Sequence, residues 1–201
     1  MSTRAAAKMG RPLGFAKNAA LDAAMRVFWE KGYEGSTLAD LTEAMGINRS
    51  SMYATFGDKQ ALFKLAVARY AEGPAAYVRE ALDQPTVRAV VNALLRGALE
   101  LLIDPSHPRG CLSVQGALAC GSSAEPMKQA MIEWRKQGES DIQKRLQRAR
   151  REGDLAKGVN PGDLARYIST VLTGLGIQAA NGATKAEMTR LVDMVLRSTP
   201  F

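Results

Sequence analysis

The side chains best suited to chemistry fall in two short stretches. Between residues 48 and 59 lie Asn48, Arg49, Ser50, Ser51, Tyr53, Thr55 and Lys59, a run of cationic and hydroxyl donors with no acid until Asp58. Such groups suit anionic phosphate oxygens, and an arginine can grip guanine O6 and N7 with two hydrogen bonds. The second stretch holds the sole histidine, His107, and both cysteines, Cys111 and Cys120. One histidine excludes most acid–base and metal designs, and no Gly-x-Ser-x-Gly elbow, His-Glu-x-x-His run or P-loop is present. Gly174-Leu175-Gly176-Ile177-Gln178-Ala179 fits a dinucleotide fingerprint formally, but it lies inside a helical pattern and follows no strand. No catalytic residue, metal site or cofactor is expected.

Cys111 is the more chemically interesting thiol. At a helix start, beside Arg109, its pKa would fall, exposing it to an electrophile, an oxidant or a soft metal such as Cu(I). The alternative is an inert, buried cysteine. On one shared helix, Cys111 and Cys120 would be turned apart by about 900° and separated by about 13 Å along the axis, so they could neither bridge nor chelate together.

Helices must position these groups. Leu21, Ala24, Met25 and Phe28 make the apolar face of a first helix that ends at Gly32, and Gly32 to Gly35 is a connection. Ser36 or Thr37 caps a second helix with Leu38, Leu41 and Met45, which stops at Gly46. A third begins near Asn48 and carries Met52, Tyr53 and Phe56. Asp58 caps a fourth, with Phe63, Ala66, Val67 and Tyr70 on one side. Five more are expected over about 86–103, 110–120, 125–153, 161–180 and 184–197. Strand-like alternation is missing throughout, so the fold class is all-α, with about nine helices. The second and third helices around Gly46 fit a helix-turn-helix, although spacing alone also allows an ordinary αα-hairpin.

Bulk properties agree with this arrangement. The formal charge of +7 and pI near 9.6 favour polyanions. Arg4, Lys8, Arg11 and Lys17 lie among the first seventeen residues with no acid between them, which reads as a mobile basic arm or as a solubilising tail. With no apolar run of about 20 residues, no export signal and two cysteines, the expectation is a cytoplasmic protein without a membrane partner.

The residues themselves are more specific. Phe28-Trp29-Glu30-Lys31-Gly32-Tyr33-Glu34-Gly35-Ser36-Thr37, then Leu38-Ala39-Asp40-Leu41, Met45-Gly46-Ile47-Asn48, Ser51-Met52-Tyr53, Phe56, Lys59 and Leu62-Phe63 closely resemble the TetR family of bacterial transcriptional regulators. The match covers about residues 15 to 70, with Thr42 where the family usually has alanine. The resemblance implies a basic arm (1–14), a DNA-binding head (15–60) and a regulatory and dimerising part (61–201). It implies phosphate contacts from Tyr53 and Lys59, and a minor-groove arm around Gly10-Arg11-Pro12. With side-chain chemistry added, the DNA-contacting set becomes Arg11, Thr37, Asn48, Arg49, Ser50, Ser51, Tyr53, Thr55 and Lys59. Arg49 is the leading base reader, with a phosphate contact as its alternative, and Tyr53 could instead be a core aromatic.

Family members pair through their two C-terminal helices. Here the corresponding stripes are Leu164, Ile168, Val171, Leu172, Leu175 and Ala179, with Gly174 and Gly176 allowing close approach, and Met188, Leu191, Val192 and Val195. These stripes could also pack inside one chain. The implied partners are a second copy, double-stranded pseudo-palindromic operator DNA, and a small-molecule effector. Effector walls are expected from Leu95, Leu99, Cys111, Gln115, Met131, Trp134, Tyr167 and Val171. The function so implied is a repressor released by a small-molecule or thiol-reactive signal. Alternatives are a DNA-binding protein of the same fold without an inducer (a chromosome organiser or activator), or an enzyme or partner-binding helical module that has lost DNA binding. Gly110-Cys111 resembles, less specifically, one branch of the family.

Overall fold

The computed structural model describes residues 13–118 and 121–199, among which the regular elements are ten α-helices and one 3-10 turn. The fold is all-α, as expected. The head comprises α1 (Leu13–Gly35), α2 (Leu38–Met45), α3 (Arg49–Phe56) and the start of α4 (Lys59–Glu72). Phe28, Trp29, Leu41, Met52, Leu62 and Phe63 are fully buried at its centre. The starts of α2, α3 and α4 are each capped by a side chain. Thr37 forms a reciprocal capping box with Asp40, Asn48 accepts from Ser51 N–H, and Asp58 accepts from Ala61 N–H.

Two left-handed glycines shape the head. Gly46 (φ 64°) ends α2, while its N–H bonds Glu43 O and the Ile47 N–H bonds Thr42 O at 3.1 Å each. Gly32 (φ 69°) breaks α1 three residues before its last assigned residue, and a Cβ there would also stand 3.1 Å from Gln115 O. The chain is thereby turned so that Tyr33 N–H donates to Gly116 O at 2.7 Å.

The body contains α5 (Tyr77–Leu82), α6 (Val87–Ile103), α7 (Leu112–Gln115), α8 (Glu125–Glu152), α9 (Pro161–Ala180) and α10 (Lys185–Ser198). The short α5 is not expected from the sequence, since it has neither a capping side chain nor a long apolar repeat. Buried Arg145 holds the turn after it by donating to the carbonyls of Leu82 (3.1 Å), Gln84 (2.7 Å) and Pro85 (3.1 Å). The Asp154 carboxylate accepts from Val87 N–H at 2.6 Å at the start of α6. The helix expected over 110–120 is a single turn, and a Cβ added at Gly116 just after it would stand 2.6 Å from Leu112 O and 3.3 Å from the Phe63 ring. Cys120 falls outside the described residues, as does the arm with Arg11.

The expected dimer stripes are corrected by the packing. Leu164, Ile168, Leu175 and Ala179 of α9, and Met188, Val192 and Val195 of α10, are buried in one chain's core with α6 and α8. Gly176 is spent on an intrachain approach, since a Cβ there would lie 3.3 Å from Cys111 Cβ. The outer face instead carries Tyr167 (42% exposed), Ile177 (41%) and, on α10, Met194 (59%). A Cβ at Gly174 would meet nothing within 4 Å. No helix among the described residues is long and apolar enough to cross a membrane.

Candidate nucleic-acid interface and effector cavity

Burying Met52 and Phe56 against the head turns the other side of α3 outward. Arg49, Ser51, Ala54 and Thr55 are exposed there, and Tyr53 is 48% exposed rather than a core aromatic. Lys59, in the first turn of α4, adds a cation where backbone N–H groups already favour anions. Its Nζ lies 4.5 Å from the Tyr33 ring centroid, and partial burial lowers its pKa while Glu34 and Asp40 oppose that shift. A lysine absent from the expected set lies beside α3: Lys17 Nζ stands 5.7 Å from the Phe56 ring centroid.

The remaining expected contacts are engaged inside the head. Asn48 Oδ1 accepts from Ser51 N–H at 2.8 Å and from the Ser50 hydroxyl at 2.7 Å. The Thr37 hydroxyl donates to Asp40 Oδ2 at 2.7 Å. Lys31 Nζ meets Asp40 Oδ1 at 2.6 Å, tying α1 to α2. That bond, followed by those from Thr37 N–H and hydroxyl, holds the Asp40 carboxyl well below the usual carboxylate range.

The head joins the body through α4 and also through the connection between α6 and α8. Arg69 of α4 donates Nε and Nη2 to the Asp22 carboxylate of α1 at 2.7 and 3.1 Å. Trp29 donates its indole N–H to Gly110 O at 3.0 Å, stacks on His107 with centroids 4.4 Å apart, and meets Tyr70 edge-on at 4.7 Å. Arg26 donates to Ser106 O, and Gly121 N–H donates to Glu34 Oε2 at 3.0 Å. One face of the 104–121 connection therefore belongs to α1, while α7 within it also walls a cavity.

That cavity, of about 410 Å³, lies between α5, α6, α7, α8 and α9, within the usual range for small-molecule pockets. Its apolar wall includes Leu94, Ala98, Leu101, Leu102 and Ile142. Of the residues expected to line it, Cys111 and Trp134 do so. Leu95, Leu99 and Met131 are fully packed elsewhere in the core, Gln115 lies against Gly110, Val171 packs on the body core, and Tyr167 faces outward. Cys111 Sγ is 2.9 Å from Ser113 Oγ and 3.3 Å from the Tyr70 hydroxyl. Arg109, expected beside the thiol, instead donates to Ala183 O. Burial raises the Tyr70 and Tyr77 phenols above their ordinary values.

Tyr77 and Arg135 are among the lining residues that sequence reasoning missed. Gly97 was a signal for the first, because any Cβ there would run into the Tyr77 ring. Arg135 follows Trp134 on α8, and nothing in the local pattern distinguishes it from a solvated arginine.

Comparison with known proteins agrees with this geometry. Residues 20–66 match the family described as bacterial regulatory proteins, tetR family. Residues 85–195 match the tetracyclin repressor-like C-terminal domain. The HTH-type transcriptional repressor ComR of Escherichia coli (strain K12) is 27% identical over 193 residues, covering 95% of this chain and 92% of that protein. The HTH-type transcriptional regulator YezE of Bacillus subtilis (strain 168) is 33% identical over 189 residues, covering 93% and 96%. A cysteine-substituted form of the TetR family transcriptional regulator CifR, in complex with a 26-base-pair double-strand operator DNA, is 38% identical. It aligns with a TM-score of 0.89 over 95% of this chain and 100% of that one. Head, body and relatives agree: the chain belongs to the TetR family of bacterial transcriptional regulators.

Proposed function

We propose that this chain is a repressor that binds a pseudo-palindromic operator as a homodimer and leaves it when a small-molecule or thiol-reactive signal arrives. One observation carries the reading: α3 buries Met52 and Phe56 and turns Arg49, Ser51, Tyr53 and Thr55 outward, with Lys59 opening the next helix. In this reading Arg49 takes a guanine edge, Tyr53 and Lys59 take phosphates, and Ser51 and Thr55 contact the groove. Thr37, Asn48 and Ser50 act by fixing the starts of α2 and α3. Arg11 extends into the neighbouring minor groove. Residues 15–60 read DNA, and 61–201 respond and pair.

The outer faces of α9 and α10, with Tyr167, Gly174, Ile177 and Met194, form the two-fold interface that spaces the heads. The 410 Å³ cavity takes the effector, and a thiol-reactive signal meets Cys111 on its wall. A ligand preferring a dimer with wrongly spaced heads lowers operator affinity by its differential free energy for the two states.

Anisotropy titration of a labelled operator duplex over a salt series tests the DNA part. The expected result is a steep linear fall of log K with log salt, made shallower in Lys59→Ala. Affinity that ignores salt would contradict it.

A further inference from the structure

The cavity wall combines apolar side chains with charged ones, and the charges among its lining residues are not all paired. Two acids reach it, and each has its own cation: Glu139 accepts from Arg166 at 3.2 Å, and Asp141 accepts from Lys144 at 3.0 Å. Two arginines also reach it, Arg135 and Arg79, and among the described residues neither has a carboxylate within ion-pair distance. Arg135 is half-buried and donates Nη1 to the Ser113 carbonyl at 2.5 Å. Its Nε and Nη2 have no protein acceptor among the described residues. Taking a guanidinium out of water costs free energy that hydrogen bonds to a charged acceptor recover. The same burial lowers the Arg135 pKa from its ordinary value. No apolar ligand would satisfy those donors, and a cationic one would be repelled.

We propose that the effector is an amphipathic monoanion whose carboxylate pairs with Arg135 and whose apolar tail lies along Leu94, Ala98, Leu102 and Ile142. This rests on the reading of the cavity as the effector site. The anionic end sits beside Ser113 on α7, and α7 is followed directly by the Gly116 carbonyl that holds Tyr33 of the head. The carboxylate therefore binds at the part of the wall that is joined to the DNA-binding face.

Calorimetric titration of the full-length dimer with octanoate, octanol and octylamine separates the possibilities. The three probes share one tail and differ in the charge of the head group. Octanoate is expected to bind about tenfold or more tightly than octanol, with octylamine weakest. Arg135→Met should bring octanoate down to the octanol level, whereas Arg135→Lys, which keeps the charge, should retain part of the preference. Circular dichroism of both variants checks that they fold, and unchanged octanol binding by Arg135→Met shows that the cavity survives. Equal binding of octanoate and octanol by the native chain would overturn the anion assignment and leave the effector cavity standing. Failure of all three probes to bind would overturn both.

Discussion

Lys59 Nζ stands over the Tyr33 ring, 4.5 Å from its centroid, while the backbone N–H of the same tyrosine donates to Gly116 O at 2.7 Å. One residue thus supports a proposed phosphate contact with its side chain and is held by the body with its backbone. Tyr33→Leu keeps an apolar side chain between Phe28 and Phe63 but removes the cation–π support. Losing about 0.5–1 kcal/mol of cation–π attraction corresponds to an operator affinity about two- to fivefold weaker. Anisotropy titration checks this, and an unchanged isotherm would detach Tyr33 from the DNA-binding face.

Arg49 and Lys59 should fail in different ways. Arg49→Ala is expected to lose about 1–3 kcal/mol of discrimination at one base-pair position. Lys59→Ala should weaken all sequences alike and reduce the salt slope by about 1. Titration of single-mismatch duplexes at two salt concentrations distinguishes the two patterns. Uniform weakening by Arg49→Ala would reassign that residue to the phosphate backbone.

Acid should loosen the junction of α1 and α2. The folded pKa of Asp40 lies below its unfolded value, because Lys31 and Thr37 bond the charged form. Its stabilising contribution is therefore complete above about pH 4 and is lost as pH falls through the folded pKa. Asp40→Asn should lower Tm at neutral pH and show a smaller further drop at about pH 3 than the native chain. Thermal unfolding followed by circular dichroism reads both. Equal acid sensitivity would place the titrating group elsewhere.

The two sides of α9 should also part company. Ile168→Asp puts a charge into a packed core and should unfold the body, with a cost of several kcal/mol. Ile177→Asp combined with Met194→Asp changes exposed positions, so the fold should persist while the dimer dissociates. Sedimentation velocity with circular dichroism separates the outcomes. A dimer that survives the double change would move the interface off this face.

The DNA-binding half was largely legible because its signals are local. Thr37, Asn48 and Asp58 cap the expected helices, Gly46 takes the left-handed conformation at the turn, and Met52 and Phe56 fix which side of α3 points outward. The body was legible as helices but less so as faces. In α6 apolar residues face more than one side of the helix, so periodicity could not show that Leu94, Ala98 and Leu101 line the cavity while Leu95 and Leu99 pack away from it. In α9 the stripe of Leu164, Ile168 and Leu175 satisfies a dimer face and an intrachain core equally well until its neighbours are known. The uncapped α5, with Tyr77, and the cavity role of Arg135 depend on contacts across the chain that have no local signature.

Everything proposed for this chain depends on sequence-specific binding of operator DNA by a dimer. The most direct test is selection of fragmented genomic DNA on the purified chain at a fixed salt concentration, with sequencing of the retained fragments. The expected result is a few enriched sites sharing an inverted repeat whose half-sites lie about one helical turn (~34 Å) or more apart. No enrichment by protein that is folded and dimeric in the same buffer would contradict it.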